Sequence, residues 1–464
     1  MALQAALRFG ANVRFSTELT SFEQDDQQVT AKIVDRLSGD TYTIAASYMV
    51  GADGGNSRVA RLLNLPLEGA GEIGRSLNIL FDCDLTEYVA ERPGPLFYLV
   101  RTAEDDDGIG IGVLRCIKPW TRWLLIKGFA AGKEVPDLPI ERAIATIRDY
   151  LGLPDLQPEV TGVDPWTMNS LYATKYQNRR VFCIGDAVHR HVPLNGLGSN
   201  TAVQDAYNLS WKLAFVLKGL AEPHLLDTYT EERMPVGKEV VEHATGALAL
   251  YPALLEAIGI PAASSSNELA SMWAEINAPS EAGKTRRAQI RSAVENMVYE
   301  FQTRGLELNQ FYRSSATIAD EEPKDKPSQR DLIPFVTTLP GAHLPHAWVQ
   351  RNGVQVSTLD LVGAGRFTLL TGVGGDAWVT AAEEVGAESV VEITAVAIGP
   401  GCVVTDLLFE WQSRREIDDD GCLLVRPDGY IAWRQKANSS HHSSNLADAL
   451  RQVLGTQPAF NLPQ

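Results

Sequence analysis

Cysteine is scarce. The 464 residues hold five, at positions 83, 116, 183, 402 and 422, scattered and without a CxxC pair. In a chain this long that excludes a disulfide scaffold and reads as reduced thiols in a cytoplasmic compartment. Basic residues are outnumbered, 41 Lys and Arg against 58 Asp and Glu, for a formal charge of −17. That excess argues against nucleic acid or an anionic membrane as partner. No apolar run approaches the roughly 18 residues of a membrane span. The N-terminal stretch is short and broken by Gln4 and Arg8, so it is no secretory signal. Metal-ligand spacing is missing as well. His189 and His191 lack acidic or cysteine companions, His343 and His346 flank Pro345 in a loop, and His441 and His442 sit in a serine-rich turn, so no metal is expected. The one GxGxxG, Gly69 to Gly74, follows a helix and a proline-containing loop and precedes a strand over Ser76 to Cys83. A dinucleotide fingerprint must follow a strand and open a helix, so this match is read as a loop.

What the chain does have is the run Val181 to Asn200, VFCIGDAVHRHVPLNGLGSN. Val181 to Ile184 suits a buried strand, which Gly185 and Asp186 end. A loop with Pro193, Gly196 and Gly198 leads to a helix capped by Asn200 or Thr201, with Leu209, Leu213 and Leu217 on one face and Gly219 past its end. A carboxylate at a strand's C-terminal edge, then a glycine loop, then a helix N-terminus, is a ligand-binding pattern of open α/β sheets. The free N–H groups of such a helix end favour anions. A second run, Val50 to Arg58, repeats strand, carboxylate and glycine, with Asp53, Gly54 and a helix entered through Ser57 and Arg58. Asp-Gly is also a common turn and a strand-end Asp often only caps one, so both carboxylates have a bland reading beside the functional one.

Between the two runs, residues 76 to 130 alternate apolar and polar. Leu96 to Val100, Ile109 to Cys116 and Trp120 to Phe129 read as an antiparallel meander with an acidic turn at Glu104 to Gly108, followed by an amphipathic helix over Leu138 to Leu151. Before them, a helix over Ala2 to Arg8 and strands over Val29 to Asp35 and Thr41 to Val50 are expected. After Gly219, helices are expected over Leu226 to Leu250 and Glu281 to Thr303, with a loop at Ser264 to Asn267. Ser314 to Arg330 reads as a linker. A smaller α/β unit then has strands near Arg366 to Thr371, Val390 to Ile398 and Cys422 to Val425, and a closing helix at Leu446 to Leu454. The expected division is 1–75 and 176–225 for a cofactor unit, 76–175 for an inserted β-rich unit, 226–313 helical, 314–332 linker and 333–464 C-terminal unit. The linker predicts that removing the chain from Ile333 leaves the two runs able to fold.

The two runs, with the helix ending Asp205-Ala206-Tyr207-Asn208-Leu209-Ser210-Trp211-Lys212-Leu213, resemble the internal motifs of the FAD-dependent aromatic hydroxylases, the class of para-hydroxybenzoate hydroxylase. The wording HRHVPLNGLGSNT is closest to the phenol and 2,4-dichlorophenol monooxygenase branch. The C-terminal unit, through Gly341 to Trp348 and Leu423 to Gly429, resembles that branch's thioredoxin-like domain. Where a thioredoxin would place CxxC this chain has Thr371-Gly372-Val373-Gly374-Gly375, so dithiol chemistry is not expected. The resemblance implies an α/β fold: a doubly wound FAD-binding sheet, an inserted antiparallel β-rich substrate domain and a thioredoxin-like C-terminal domain. It implies FAD as cofactor, NADPH or NADH as reductant, and a small phenolic substrate hydroxylated with O2 through a flavin hydroperoxide. Asp186 would meet the ribityl chain. Gly185 would be a further cofactor contact, Pro193, Gly196, Gly198, Ser199 and Asn200 would lie along the ring, and Asp53 and Gly54 near the pyrophosphate, while Arg58 would meet phosphate or the nicotinamide cofactor, or simply cap a surface. Asp53 itself, which repels phosphate, would meet ribityl hydroxyls or neighbouring backbone N–H groups. The motifs reach no catalytic base. A homodimer through the helical region follows by analogy only. The family places a strand–GxGxxG–helix unit ahead of the helix with which this chain opens. The sheet is therefore expected to be N-terminally incomplete and residues 1–464 to be a shortened form that holds FAD poorly, a partner chain supplying the unit being the alternative. A flavoprotein oxidase or halogenase on the same fold, and a non-catalytic remnant acting by binding, are the competing readings.

Overall fold

The computed structural model describes residues 2–100, 111–260, 265–321 and 331–456. An exposed helix α1 (Ala2–Arg8) leads into an antiparallel sheet of β1 (Thr17–Gln24), β2 (Val29–Asp35) and β3 (Thr41–Ala46). The single strand expected over Thr41 to Val50 breaks at Ser47 and Tyr48, and β4 (Met49–Gly51) leaves for another sheet. The cause is tertiary. Tyr48 packs its ring 6.1 Å from that of Phe182, and the Met49 N–H donates to the Arg180 carbonyl at 3.0 Å. A short helix, α2 (Arg58–Leu62), follows.

The inserted unit is one twisted antiparallel sheet. In chain order it holds β5 (Leu67–Asp82), α3 (Thr86–Val89), β6 (Leu96–Val100), β7 (Ile111–Lys118), β8 (Arg122–Ala130), α4 (Ile140–Leu151) and β9 (Glu159–Ala173). Leu77, Ile79 and Phe81 alternate onto the same face as Trp123 and Leu125, where Ala143, Ile147 and Tyr150 of α4 cover them. The expected meander and helix are therefore present, while the acidic turn at 104–108 lies outside the described residues. The expected loop at Gly69 to Gly74 is instead the start of β5. Gly69 has φ +125°, and a Cβ there would lie 2.2 Å from the Ser170 carbonyl oxygen. Its glycine serves the close approach of β9 and the bulges of that pairing, not a phosphate.

The chain returns through β10 (Gln177–Asn178), β11 (Val181–Cys183) and β12 (His189–Arg190). The last joins the inserted sheet, giving the order β12-β9-β5-β8-β7-β6. Helices α5 (Gly198–Leu217) and α6 (Thr228–Leu248) follow. Beyond them, α7 (Tyr251–Ile258) and α8 (Ser266–Asn277) lie between the two expected helices, and α8 begins within the loop expected at Ser264 to Asn267. The helix expected over Glu281 to Thr303 divides into α9 (Glu281–Asn296) and α10 (Val298–Phe301), and α11 (Arg304–Leu308) comes next. Pro252 in the first turn of α7 fits a new helix start, which the long apolar pattern from Leu226 hides.

The C-terminal unit has β13 (Trp348–Arg351), β14 (Val354–Ser357), β15 (Phe367–Thr371), α12 (Asp376–Ser389), β16 (Ile393–Ala397), β17 (Val404–Thr405), β18 (Cys422–Val425), β19 (Ile431–Gln435) and α13 (His442–Leu454). Its sheet runs β16-β15-β18-β19. The β15–β16 pair is parallel across α12 and the others antiparallel, which is the thioredoxin-like arrangement.

This unit packs against α5 and α6. Trp211 and Phe215 of α5 share one core with Phe367, Leu369 and Trp378. The Phe215 and Phe367 rings meet edge to face at 5.7 Å. The described part of the expected linker is packed as well: Ala316 is buried, the Ile318 N–H donates to the Ala432 carbonyl at 2.7 Å, and Arg434 pairs with Asp320 and Glu321. Charges seal the seam. Arg426 reaches Glu232 of α6 with two bonds, at 2.6 and 2.8 Å, and Lys212 of α5 meets the same carboxylate at 2.7 Å, all without solvent exposure. Burial opposes the charge on Glu232, but Arg426 and Lys212 outweigh it and hold the carboxyl far below its usual range.

Two outcomes follow. Removing residues 333–464 exposes the Trp211 face and strands Glu232 beside Lys212, so the shortened chain is expected to be insoluble, contrary to the linker's suggestion; recovery of soluble, cooperatively unfolding protein would refute this. Arg426→Met is expected to cost about 3–5 kcal/mol in a urea titration, as for other broken buried pairs. The stability contributed by the depressed Glu232 carboxyl is complete above the ordinary carboxylate range and is lost as pH falls through its lowered folded value. The same variant should therefore move acid unfolding to higher pH.

Candidate functional site

Strands β4 and β11 lie side by side and parallel, with Gly51 opposite Cys183 and the Ile184 N–H donating to the Gly51 carbonyl at 3.0 Å. Both carboxylate-bearing turns thus leave the same C-terminal sheet edge, although the inserted unit separates them in sequence. Arg190, just after the second turn, passes near the first, its side chain 3.8 Å from where a Cβ on Gly55 would lie.

The two carboxylates have different surroundings. Asp53 accepts the Ser57 hydroxyl at 2.5 Å and the N–H groups of Arg58 and Val59 at 2.6 and 3.1 Å. Its charge satisfies the open start of α2, and these bonds hold its pKa below the usual range against the opposing effect of burial. The neighbouring backbone N–H groups, one of the two partners expected for it, are the ones present. Gly54 turns with φ +75°, and Arg58 is tied down by the Leu19 carbonyl at 2.6 Å and Glu18 at 2.7 Å. Asp186 is exposed, and among the described residues its carboxylate has no hydrogen-bond partner. Only its backbone carbonyl is engaged, by Arg190 Nε at 3.1 Å.

Gly185 must be glycine for two reasons. Its φ is +61°, and a Cβ would lie 2.8 Å from that of Ala202 on α5. Its N–H donates to Asp205 Oδ2 at 3.0 Å, and His189 Nε2 meets the same oxygen at 2.8 Å. Arg233 Nε holds the other oxygen at 2.8 Å. Burial works against the Asp205 charge, but Arg233 and His189 prevail and keep its pKa below the usual range.

The loop after Val192 is open where the ring of a flat ligand would lie. Pro193 and Gly196 are exposed, and a Cβ on Gly196 would meet nothing within 4 Å. Asn195 sits at φ +67°, held by its Nδ2 bond to the Glu300 carbonyl at 2.8 Å, while its buried Oδ1 has no hydrogen-bond partner. Helix α5 begins at Gly198, ahead of the expected Asn200 or Thr201 cap, with buried Leu197 at the cap position. Asn200 turns its amide back onto the Gly196 carbonyl at 3.0 Å, and Ser199 is exposed beside it. The first N–H groups of this helix have no intrahelical acceptor and face that loop. His191 backs Gly198: its Nδ1 donates to the Val192 carbonyl at 2.7 Å, and burial lowers its pKa.

Free N–H groups, an unengaged carboxylate, an unpaired buried amide oxygen and glycines open to a flat partner fit a flavin with its polyol chain. The sequence reading missed three contributors: Arg190 between the turns, Asp205 beneath them and Glu300 behind the loop. Asp205 stood in a quoted stretch, but nothing in its spacing pointed inward. Among the described residues no His, Cys, Asp or Glu group could hold a metal. No helix there is long and apolar enough to cross a membrane.

Known proteins agree with this geometry. Residues 1–244 match the family described as FAD binding domain, and residues 337–457 that described as aromatic-ring hydroxylase, C-terminal. The chain is 41% identical over 457 residues to 2,4-dichlorophenol 6-monooxygenase of Cupriavidus pinatubonensis, covering 98% of this chain and 76% of that protein. It is 39% identical to phenol 2-monooxygenase of a Pseudomonas species, covering 97% and 72%. Among solved structures, the flavin-dependent monooxygenase PieE in complex with FAD and substrate superposes with a TM-score of 0.90 at 37% identity, covering 98% of this chain and 78% of that one. A ternary complex of aklavinone-11 hydroxylase with FAD and aklavinone gives 0.77 at 29%, covering 98% and 76%.

Because Asp53 satisfies the start of α2, Asp53→Ala is expected to lower stability by about 1–2 kcal/mol, the range for a lost helix cap. Denaturant titration measures this, and an unchanged midpoint would refute the capping role.

Proposed function

The chain belongs to the FAD-dependent aromatic-ring hydroxylases, and we propose that it is an NAD(P)H-using monooxygenase that hydroxylates a phenol next to its hydroxyl group. The observation that carries this is the in-register pairing of β4 with β11, which brings the two carboxylate turns to one sheet edge, where Gly185 packs on Ala202 of α5. The identity of 41% to a dichlorophenol monooxygenase and of 39% to a phenol monooxygenase supports the substrate class.

Bound FAD supplies the redox chemistry with O2 and the nicotinamide reductant. The protein's part is to bind, orient and exclude water. Asp186 accepts ribityl hydroxyls. Pro193, Gly196 and Gly198 pass along the ring, while Gly185 turns the chain beneath it. The backbone N–H groups of Gly198, Ser199 and Asn200 would hold the ring as preorganised donors at the start of α5. Asp53, Gly54 and Arg58 border the pyrophosphate side, and Arg190 adds a positive charge between the turns. The inserted sheet, about residues 76–175, holds the phenol against the ring. The five free thiols suit a cytoplasmic enzyme, and a homodimer is the assembly proposed.

The test supplies FAD, NADH or NADPH, O2 and phenol or 2,4-dichlorophenol to the purified chain. Formation of the corresponding catechol, with one O2 used per reductant, is expected; peroxide without catechol would point to an oxidase and overturn the proposal. Asp186→Ala removes a charge-assisted bond of roughly 1.5–3 kcal/mol, so FAD affinity should fall by about one to two decades with little loss of fold. An unchanged FAD dissociation constant would retire the Asp186 assignment.

A further inference from the structure

We propose that the C-terminal thioredoxin-like unit keeps the cofactor loop in shape, with Arg426 and Tyr430 as positioning residues that act on Gly185 to His189 through Arg233 and Asp205. The contacts form an unbroken buried chain. Asp205 holds the Gly185 N–H and His189 on one oxygen and Arg233 on the other. Arg233 uses its remaining donors on Gln310 Oε1 at 2.8 Å, on the Tyr312 hydroxyl at 3.0 Å, and on the Thr201 carbonyl and Gln204 Oε1 in the first turns of α5 at 3.4 and 3.2 Å. From the C-terminal unit, the Tyr430 hydroxyl donates to the same Gln310 oxygen at 3.1 Å, and its ring stacks on Tyr312 at 3.9 Å. Arg426 lies 5.3 Å over the Tyr312 ring and pairs with Glu232, the residue before Arg233 on α6.

Each charge in this chain is fully buried, so it tolerates no loosely held partner. A displacement of Tyr430 or Arg426 frees Gln310 and Tyr312. Arg233 must then seek another acceptor, and Asp205 loses the partner that fixes its second oxygen. The Gly185 turn and the first turn of α5 are therefore set from a unit whose own sheet lies beyond both. This gives a task to a thioredoxin-like domain with no dithiol. Its functional meaning rests on the loop being the FAD site; its geometry does not.

The test is amide hydrogen exchange on the full chain without FAD, with peptides covering 181–200, the sheet strands 67–82 and 159–173, and the C-terminal unit. Tyr430→Phe removes only the hydroxyl and keeps the ring stack. It is expected to speed exchange across 181–200 by about tenfold while 67–82 and 159–173 stay unchanged. Arg426→Lys, which keeps charge but loses the bidentate geometry, should act in the same direction. Val404→Ala, in a second core of the C-terminal unit that holds no residue of α5 or α6, should speed exchange in its own unit and spare 181–200. If Tyr430→Phe leaves 181–200 unchanged, or Val404→Ala disturbs it equally, the coupling is generic destabilisation and the proposal falls. FAD titration of the unaltered chain separately decides the flavin reading, so the two can fail independently.

Discussion

A carboxylate and a guanidinium cut off from water must each find nearly all their partners inside the protein, and the pair Asp205 and Arg233 shows what that demand organises. Asp205 takes the Gly185 N–H, the His189 ring and the Arg233 side chain. Arg233 in turn engages the start of α5 and the segment around Gln310 and Tyr312. Losing one partner would leave a buried charge uncompensated, at a cost of several kcal/mol. The loop that ends β11 is therefore held by the interior of the helical region as well as by its own turn bond from the Val188 N–H to the Gly185 carbonyl. Glu232, one residue earlier, makes the same demand of Arg426, Lys212, Asn208 and Ser314. Two adjacent charges on α6 thus join the loop after β11 to the C-terminal unit.

The sheet edge above this network separates two roles that one pattern, strand then carboxylate then glycine, makes look alike. Asp53 satisfies helix α2 with both oxygens, whereas Asp186 keeps its carboxylate at the surface beside the start of α5. The same chemistry caps a helix in one place and stands ready for a ligand in the other. What differs is distance along the chain to the next helix. Ser57 and Arg58 come soon enough after Asp53 for the helix to fold back on it, while a long loop lies between Asp186 and Gly198.

Glycine follows a similar rule. The GxGxxG at Gly69 to Gly74 meets a formal fingerprint, yet Gly69 is there because the Ser170 carbonyl passes where a Cβ would be. Gly185 combines a left-handed turn with close packing on Ala202, in a position that does border the site. Sequence context read these two cases differently. It misjudged the first as loop, because a bulged strand start and a loop share the same small residues.

Local chemistry made much of the protein legible beforehand. The alternation of Leu77, Ile79 and Phe81 marks the inserted sheet, the period of α4 marks its cover, and the two carboxylate turns mark the site, because each signal lies within a few residues of the structure it dictates. The family resemblance of the motifs rests on the same short runs. Only the folded chain could decide what depends on residues far apart. That β4 abandons β3 to pair with β11 turns on Tyr48 meeting Phe182. That Asp205 points under Gly185, that Glu300 anchors Asn195, and that Arg426 closes on Glu232 are meetings across long stretches of chain. In the described start of the apparent linker, the partly exposed Asp320 and Glu321 pair with the buried Arg434. A charged residue reads as surface until its partner is known, and a partner far along the chain has no signature in local pattern.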